Sequence, residues 1–216
     1  MPSFDTLLNA FVTLLVTADP VGNAPLFLGL TAGLAAAQRR RIAVRASVIA
    51  FAILTLFALS GTAVLDAMGI TIDAFRVAGG LLLFFTAFEM IYGGRQERRE
   101  QTSDQAASDE GADIAVFPLA IPLIAGPGTI SAAILLASEF TAGSTTGSGY
   151  WLGIGMLIGL IGLMMVLTVV VLVAAEALDK YLANTARLVI TRLLGVLLAA
   201  LSVQYVADGA RALAGS

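Results

Sequence analysis

Two short stretches carry the residue types that could do chemistry in this chain: T-A-D-P-V-G-N-A-P at residues 17–25 and A-G-P-G-T at residues 125–129. Both interrupt runs that are otherwise apolar enough to cross a bilayer. Pro20 and Pro25 lack an N–H and clash with the preceding turn, and Gly22 accepts backbone angles that other residues refuse, so the helix must open near Asp19. Gly126, Pro127 and Gly128 have the same effect in the second stretch, and Pro122 loosens the approach to it. Opened backbone in hydrocarbon leaves N–H and C=O groups that cost several kcal/mol each unless protein, water or a ligand satisfies them. The two breaks therefore need partners.

Each break also starts a new helix. Asn23 is expected to cap a half-helix beginning at Ala24, and Thr129 one beginning at Ile130. A helix N-terminus carries roughly half a positive charge and free N–H donors, which suit a carboxylate. The carbonyls that end the preceding half-helices, with Asp19 beside them, suit an ammonium group or a cation. An amino-acid zwitterion offers both ends, and the candidate substrate-binding residues are Asp19, Pro20, Gly22, Asn23, Gly126, Pro127, Gly128 and Thr129. The alternative is a pair of structural kinks, with Asp19 and Asn23 as internal caps and no ligand.

Composition says where such breaks must operate. The chain has 216 residues, 58% apolar and 12% charged, with a mean hydropathy of +0.93, well beyond the balance of soluble domains. It reads as an integral membrane protein. The absence of cysteine and histidine excludes disulfides, thiol redox pairs, His or Cys metal sites and histidine acid–base chemistry. With no clustered nucleophile and no G-x-G-D signature either, no enzyme activity, metal site or cofactor is expected. The net charge of -3 arises mostly in one acidic loop, and nothing suggests a nucleic-acid surface. The N-terminus lacks a basic region followed by a cleavage site, so the first span is expected to be retained.

The apolar runs that must position the breaks fall at residues 4–34, 42–65, 75–92, 114–137, 150–178 and 188–206. A polar loop at 93–113 divides the chain into halves at 1–92 and 114–216, and reads as solvated. Arg39, Arg40, Arg41 and Arg45 follow the first run, Arg95, Arg98 and Arg99 the third, and Lys180, Arg187 and Arg192 lie between or at the edge of the last two. Only Arg76 and Arg211 fall on the other side, so the termini are expected to be periplasmic. F-R-V-A-G-G-L-L-L-F-F-T from Phe75 matches T-R-L-L-G-V-L-L-A-A-L-S from Thr191 in its Arg, Gly and Leu-Leu positions, Leu65-Asp66 has a counterpart in Leu178-Asp179, and D-P-V-G-N sits where G-P-G-T sits. Three spans per half force the second copy to run inverted. The predicted fold is an all-α membrane protein of six transmembrane helices, arranged as two inverted three-helix repeats with helices one and four broken at mid-membrane.

The pairing of D-P-V-G-N-A-P-L-F-L-G-L-T, residues 19–31, with P-L-A-I-P-L-I-A-G-P-G-T-I, residues 118–130, resembles the MarC family of bacterial inner-membrane proteins, which includes the SnatA small neutral amino-acid transporters. The resemblance spans essentially the whole chain, and the family's motifs map onto Asp19, Pro20, Gly22, Asn23 and Pro25 and onto Gly126, Pro127, Gly128 and Thr129. It implies six spans in the inner membrane and, by likeness to the SnatA members, transport of glycine, alanine and similar small neutral amino acids. Importer or exporter stays open, as does the coupling ion, proton or sodium. LysE-like export of other small metabolites, or a nonenzymatic channel or assembly module, is the alternative.

Other residues read more plainly. Glu89 lies near the cytoplasmic end of the third span, with Gln204 at the corresponding place in the sixth; it reads as an interfacial carboxylate, with proton coupling as its functional alternative, a role for which Asp19 is the other candidate. Glu176 reads as interfacial too. Arg76 and Arg192 read as anchors that snorkel to the headgroups. Gly155 and Gly159 form a small-xxx-small pattern, read as packing within the molecule, with a homo-oligomer seam as the alternative. Tyr92, Tyr150 and Trp151 belong to aromatic belts.

Overall fold

The computed structural model describes residues 4–94, 97, 101, 113–142, 147–175 and 184–215. Its elements are helical: α1 (Phe4–Ala18), α2 (Pro20–Leu30), α3 (Ala36–Ala67), α4 (Ile72–Tyr92), α5 (Ala115–Ile124), α6 (Pro127–Phe140), α7 (Ser148–Val173) and α8 (Asn184–Gly215). Among the described residues five spans are long and apolar enough to cross a membrane, counting α1 and α2 as one, and the count is six when the bent pair α5–α6 is taken as one span. The polar stretch between α4 and α5, together with Glu176, Lys180, the Leu178-Asp179 pair and the Arg187 side chain, lies largely or wholly outside the described residues.

Helices α3 and α8 run past their apolar runs at both ends. Apolar runs mark the segment in hydrocarbon, whereas Arg, Gln and Ala are good helix formers that carry the same helix into the headgroups. Thr71 caps α4, its Oγ1 accepting from the N–H of Ala74 at 3.2 Å. Gly93, at φ 87°, ends that helix in the left-handed conformation that glycine adopts without a Cβ clash.

Helix α5 departs from a regular coil. Phe117 (φ -130°, ψ 126°) and Ile121 (φ -126°, ψ 126°) are extended, each preceding a proline that disfavours α conformation in the residue before it. The Phe117–Pro118 and Ile121–Pro122 peptides are cis. The turns are wide: the Leu119 N–H reaches back to the Ile114 carbonyl at 3.3 Å and that of Ala125 to the Ala120 carbonyl at 2.8 Å. A bend of 59° then separates α5 from α6.

Burial sorts the spans into an interior and a perimeter. In α1–α2, 67% of the apolar window is buried inside the protein, against 28% in α3 and 17% in α8, so the span that carries the first break is an inner element. Leu14, Phe27, Leu119, Ile124, Leu136, Leu157 and Met164 are fully enclosed. Leu56, Val166, Leu193 and Leu197 point outward, as expected of side chains whose solvent is lipid. Helix α6 packs among α1, α3, α4 and α7.

Helices α4 and α8 pair antiparallel along most of their lengths, held close by glycines. A Cβ on Gly80 would meet the Ser202 carbonyl oxygen at 2.9 Å, one on Gly209 the Asp73 carbonyl oxygen at 2.8 Å, and one on Gly195 the Met90 Cβ at 3.0 Å. The Gly155–Gly159 pair, by contrast, has nothing within 4 Å of either position and faces outward. The expected intramolecular packing there is corrected: Gly153, which abuts the Phe140 carbonyl, is the close-approach glycine of α7.

Candidate functional site

The first break opens by a single residue. Asp19 adopts φ 46°, ψ 65°, a left-handed conformation that few residues other than Gly, Asn and Asp tolerate. Pro20 then occupies the first helical position of α2, where its missing N–H costs nothing. The Asp19 Oδ1 accepts from the N–H of Gly22 at 3.0 Å. That N–H would otherwise have served the Ala18 carbonyl, which instead accepts from the Asn23 Nδ2 at 2.9 Å. The exchange keeps both polar groups satisfied in a region where Asp19 is 2% and Asn23 0% exposed.

The expected caps are therefore corrected. Asn23 does not cap a helix beginning at Ala24: Asp19 is the N-cap, α2 begins at Pro20, and Asn23 lies one turn in. Likewise Thr129 does not cap a helix beginning at Ile130. Gly126 is the N-cap, Pro127 the first helical residue, and Thr129 a buried residue of the first turn. In both cases proline's preference for the first helical position overrides the capping preference of Asn and Thr.

Asn23 joins the two breaks. Besides Ala18, its Nδ2 points to the Leu123 carbonyl at 3.4 Å, at the end of α5 and just before the second break. This long contact crosses from one half of the chain to the other. With the amide nitrogen directed at two carbonyls, the Oδ1 is the remaining group, and it is buried with no hydrogen-bond partner. A buried acceptor left without a donor costs about 1–3 kcal/mol, so this oxygen is a place for an N–H donor.

The N-terminus of α6 supplies the opposite chemistry. No side chain caps it, and the N–H groups of Gly128 and Thr129, in the first turn, have no partner within the helix. Both residues are buried, whereas Pro127 is exposed. A Cβ on Gly126 would stand 2.6 Å from the Pro122 carbonyl oxygen, which explains why glycine is needed at the bend; one on Gly128 would meet the Thr86 Oγ1 at 3.1 Å. The helix starts differ: α2 is closed by the Asp19 carboxylate, while α6 stays open to an anion.

A buried polar stripe approaches the breaks from one end. Thr17 Oγ1 donates to the Thr13 carbonyl at 2.7 Å, and Thr13 Oγ1 to the Asn9 carbonyl at 2.7 Å. Asn9 and Thr13 also line a cavity of ≈ 410 Å³ with Arg76, Glu139, Tyr205 and Asp208. At the opposite end Phe27, Leu28, Arg39, Arg40, Leu172 and Val173 line a second cavity of ≈ 310 Å³, and Arg45 pairs with Asp113 at 2.7 Å.

The sequence missed this first cavity. Arg76 is not simply a snorkelling anchor: its Nη1 bonds the Asp73 Oδ1 at 3.0 Å and it contributes to the cavity wall. Arg192 is exposed, as an anchor should be. Glu89 is half-buried near the far end of α4 and lines neither cavity; Gln204 bonds Asp208 at 2.9 Å.

A family model described as "MarC family integral membrane protein" matches residues 4–214. The chain is 34% identical to the UPF0056 membrane protein YvbG of Bacillus subtilis, over 95% of this chain and 94% of that protein. It is 35% identical to a UPF0056 membrane protein of Archaeoglobus fulgidus, over 93% and 90%, and 33% identical to the inner membrane protein MarC of Escherichia coli O1:K1 / APEC, over 92% and 90%. No solved structure matches. A match over nearly the full length of the chain and of its relatives leaves one assignment: the chain belongs to the MarC family of integral membrane proteins.

Proposed function

We propose that the protein is a secondary transporter of small neutral amino acids, glycine- or alanine-like, and that the substrate binds where the two helix breaks meet. The observation that carries this reading is the pair of complementary polar groups at that point, one an acceptor and the other a set of donors. The Asn23 Oδ1 is buried without a donor, and the uncapped start of α6 offers the Gly128 and Thr129 N–H groups. The first suits an ammonium group, with the Asp19 carboxylate adding charge nearby; the second suits a carboxylate. Gly and Ala at positions 18, 22, 24, 125, 126 and 128 keep the side chains around the breaks small, which suits a substrate no larger than alanine.

An inverted repeat supplies the means of alternating access. Its support is the close antiparallel approach of α4 and α8: Gly195 packs on Met90, and Gly80 packs on Val206. Contacts of this kind recur when two copies of one helix face each other across a two-fold axis. The matching proline starts, Asp19-Pro20 and Gly126-Pro127, support it by giving each half one helix start of the same kind. The Arg39–Arg45 end is then the cytoplasmic one by the positive-inside rule, and the termini are periplasmic.

The test is counterflow of labelled glycine and alanine in proteoliposomes, which detects carrier exchange without assuming a coupling ion. Saturable exchange supports the reading; folded protein that exchanges no small amino acid overturns it.

A further inference from the structure

The cavity of ≈ 410 Å³ at the end of the fold that carries Asn9 and Asp208 is not explained by the breaks. Its wall is drawn from four helices: Asn9 and Thr13 from α1, Arg76 from α4, Glu139 from α6, and Tyr205 and Asp208 from α8. Leu135, Leu136, Leu201 and Gln204 complete it. Both signs of charge therefore face one space from different elements.

The ion pairs around the cavity leave part of this charge unmatched. Arg76 gives one N–H direction to Asp73, although a guanidinium has five donors. Asp208 is held by Gln204 at 2.9 Å and by Arg211 at 3.3 Å. Arg76 and Glu139 line the same space, and the Arg76 ion pair is made with Asp73 rather than with Glu139.

A solute with one charge does poorly in such a space. An anion meets Glu139 and Asp208, and a cation meets Arg76; like charges brought together oppose binding. A species with both ends gains from both, its carboxylate on the Arg76 fork and its ammonium on Glu139. The volume is at the low end for small-molecule sites, which selects a single small zwitterion over a peptide.

We infer that this cavity is a separate binding site for a free amino-acid zwitterion, recognised by Arg76 and Glu139, from which Thr13 and Thr17 lead toward the breaks. The inference extends the transport reading to a second place and does not require the breaks to bind anything.

The absence of native cysteine makes the test clean. An Asn9→Cys variant, or Gln204→Cys if the first does not fold, is reacted with a thiol reagent in detergent solution while alanine, propionate or ethylamine is added. At about ten times its dissociation constant a ligand leaves about one site in eleven empty, so alanine should slow labelling about tenfold. Propionate and ethylamine should have little effect, and Arg76→Gln in the same background should remove the protection. Labelling that alanine does not slow, equal protection by all three compounds, or protection that survives Arg76→Gln overturns the inference. Protection without counterflow would leave this site standing and refute transport; counterflow without protection would do the reverse.

Discussion

Replacing Asn23 by leucine removes the amide while keeping the branching and most of the volume of the side chain. The structure sets the size of the effect. The Ala18 carbonyl loses a donor at 2.9 Å, and an acceptor stranded in a buried site costs about 1–3 kcal/mol. The Leu123 carbonyl loses a longer contact, 3.4 Å, which adds at the low end of that range, about 1 kcal/mol. Against this, the unpartnered Oδ1 disappears, which returns about 1 kcal/mol. Asn23→Leu should therefore destabilise the protein by about 1–3 kcal/mol, read from the loss of helical signal on titration with a denaturing detergent in mixed micelles. A double variant with Gly126→Ala should fall short of additivity by about 0.5 kcal/mol or more, because both changes loosen one junction. Unchanged or increased stability in Asn23→Leu would refute the reasoning, since it would mean that the amide does not hold the two breaks together.

Further outcomes follow from individual contacts. Gly126→Ala places a Cβ 2.6 Å from a backbone oxygen and should cost about 1–3 kcal/mol by overpacking, whereas Gly29→Ala, with nothing within 4 Å, should be neutral or stabilising by up to about 1 kcal/mol; the same detergent titration reads both. Gly80→Ala and Gly209→Ala should each cost about 1–3 kcal/mol by prising α4 from α8, and cysteine cross-linking between those helices should become less efficient. Asp19→Asn preserves an acceptor for Gly22 and a residue type that tolerates the left-handed conformation, so its stability should stay within about 0.5 kcal/mol of the native protein. The loss of charge beside the break should still slow counterflow.

The breaks were legible in the sequence because Pro and Gly punctuate apolar runs in few other ways. Their fine structure was legible only in part: the residue types allow Asp19 as an internal cap, which it is, but point to Asn23 and Thr129 for the helix starts. The deciding residues were Pro20 and Pro127, each of which makes its predecessor the cap. The wide turns of α5 had a visible signal in the repeated aromatic-or-aliphatic–proline pairs at 117–118 and 121–122, but an apolar run of that length reads as an ordinary helix. The mixed-charge cavity was illegible for a different reason. Arg76 and Glu139 lie 63 positions apart, from 139 minus 76, on helices whose ends meet only through tertiary packing, and hydropathy cannot report which helix ends converge. Similarly, Gly155 and Gly159 show the pattern of a packing face without saying whether any helix of the same chain fills it.

Whether a small amino acid binds where the breaks meet is measured most directly by alanine counterflow in proteoliposomes, comparing native protein with Asn23→Leu confirmed to be folded. A site at the breaks predicts saturable exchange by the native protein and strongly reduced exchange, at a higher half-saturating concentration, by the variant. Native protein that is folded but exchanges nothing, or a variant that exchanges alanine with native half-saturation and rate, would contradict it.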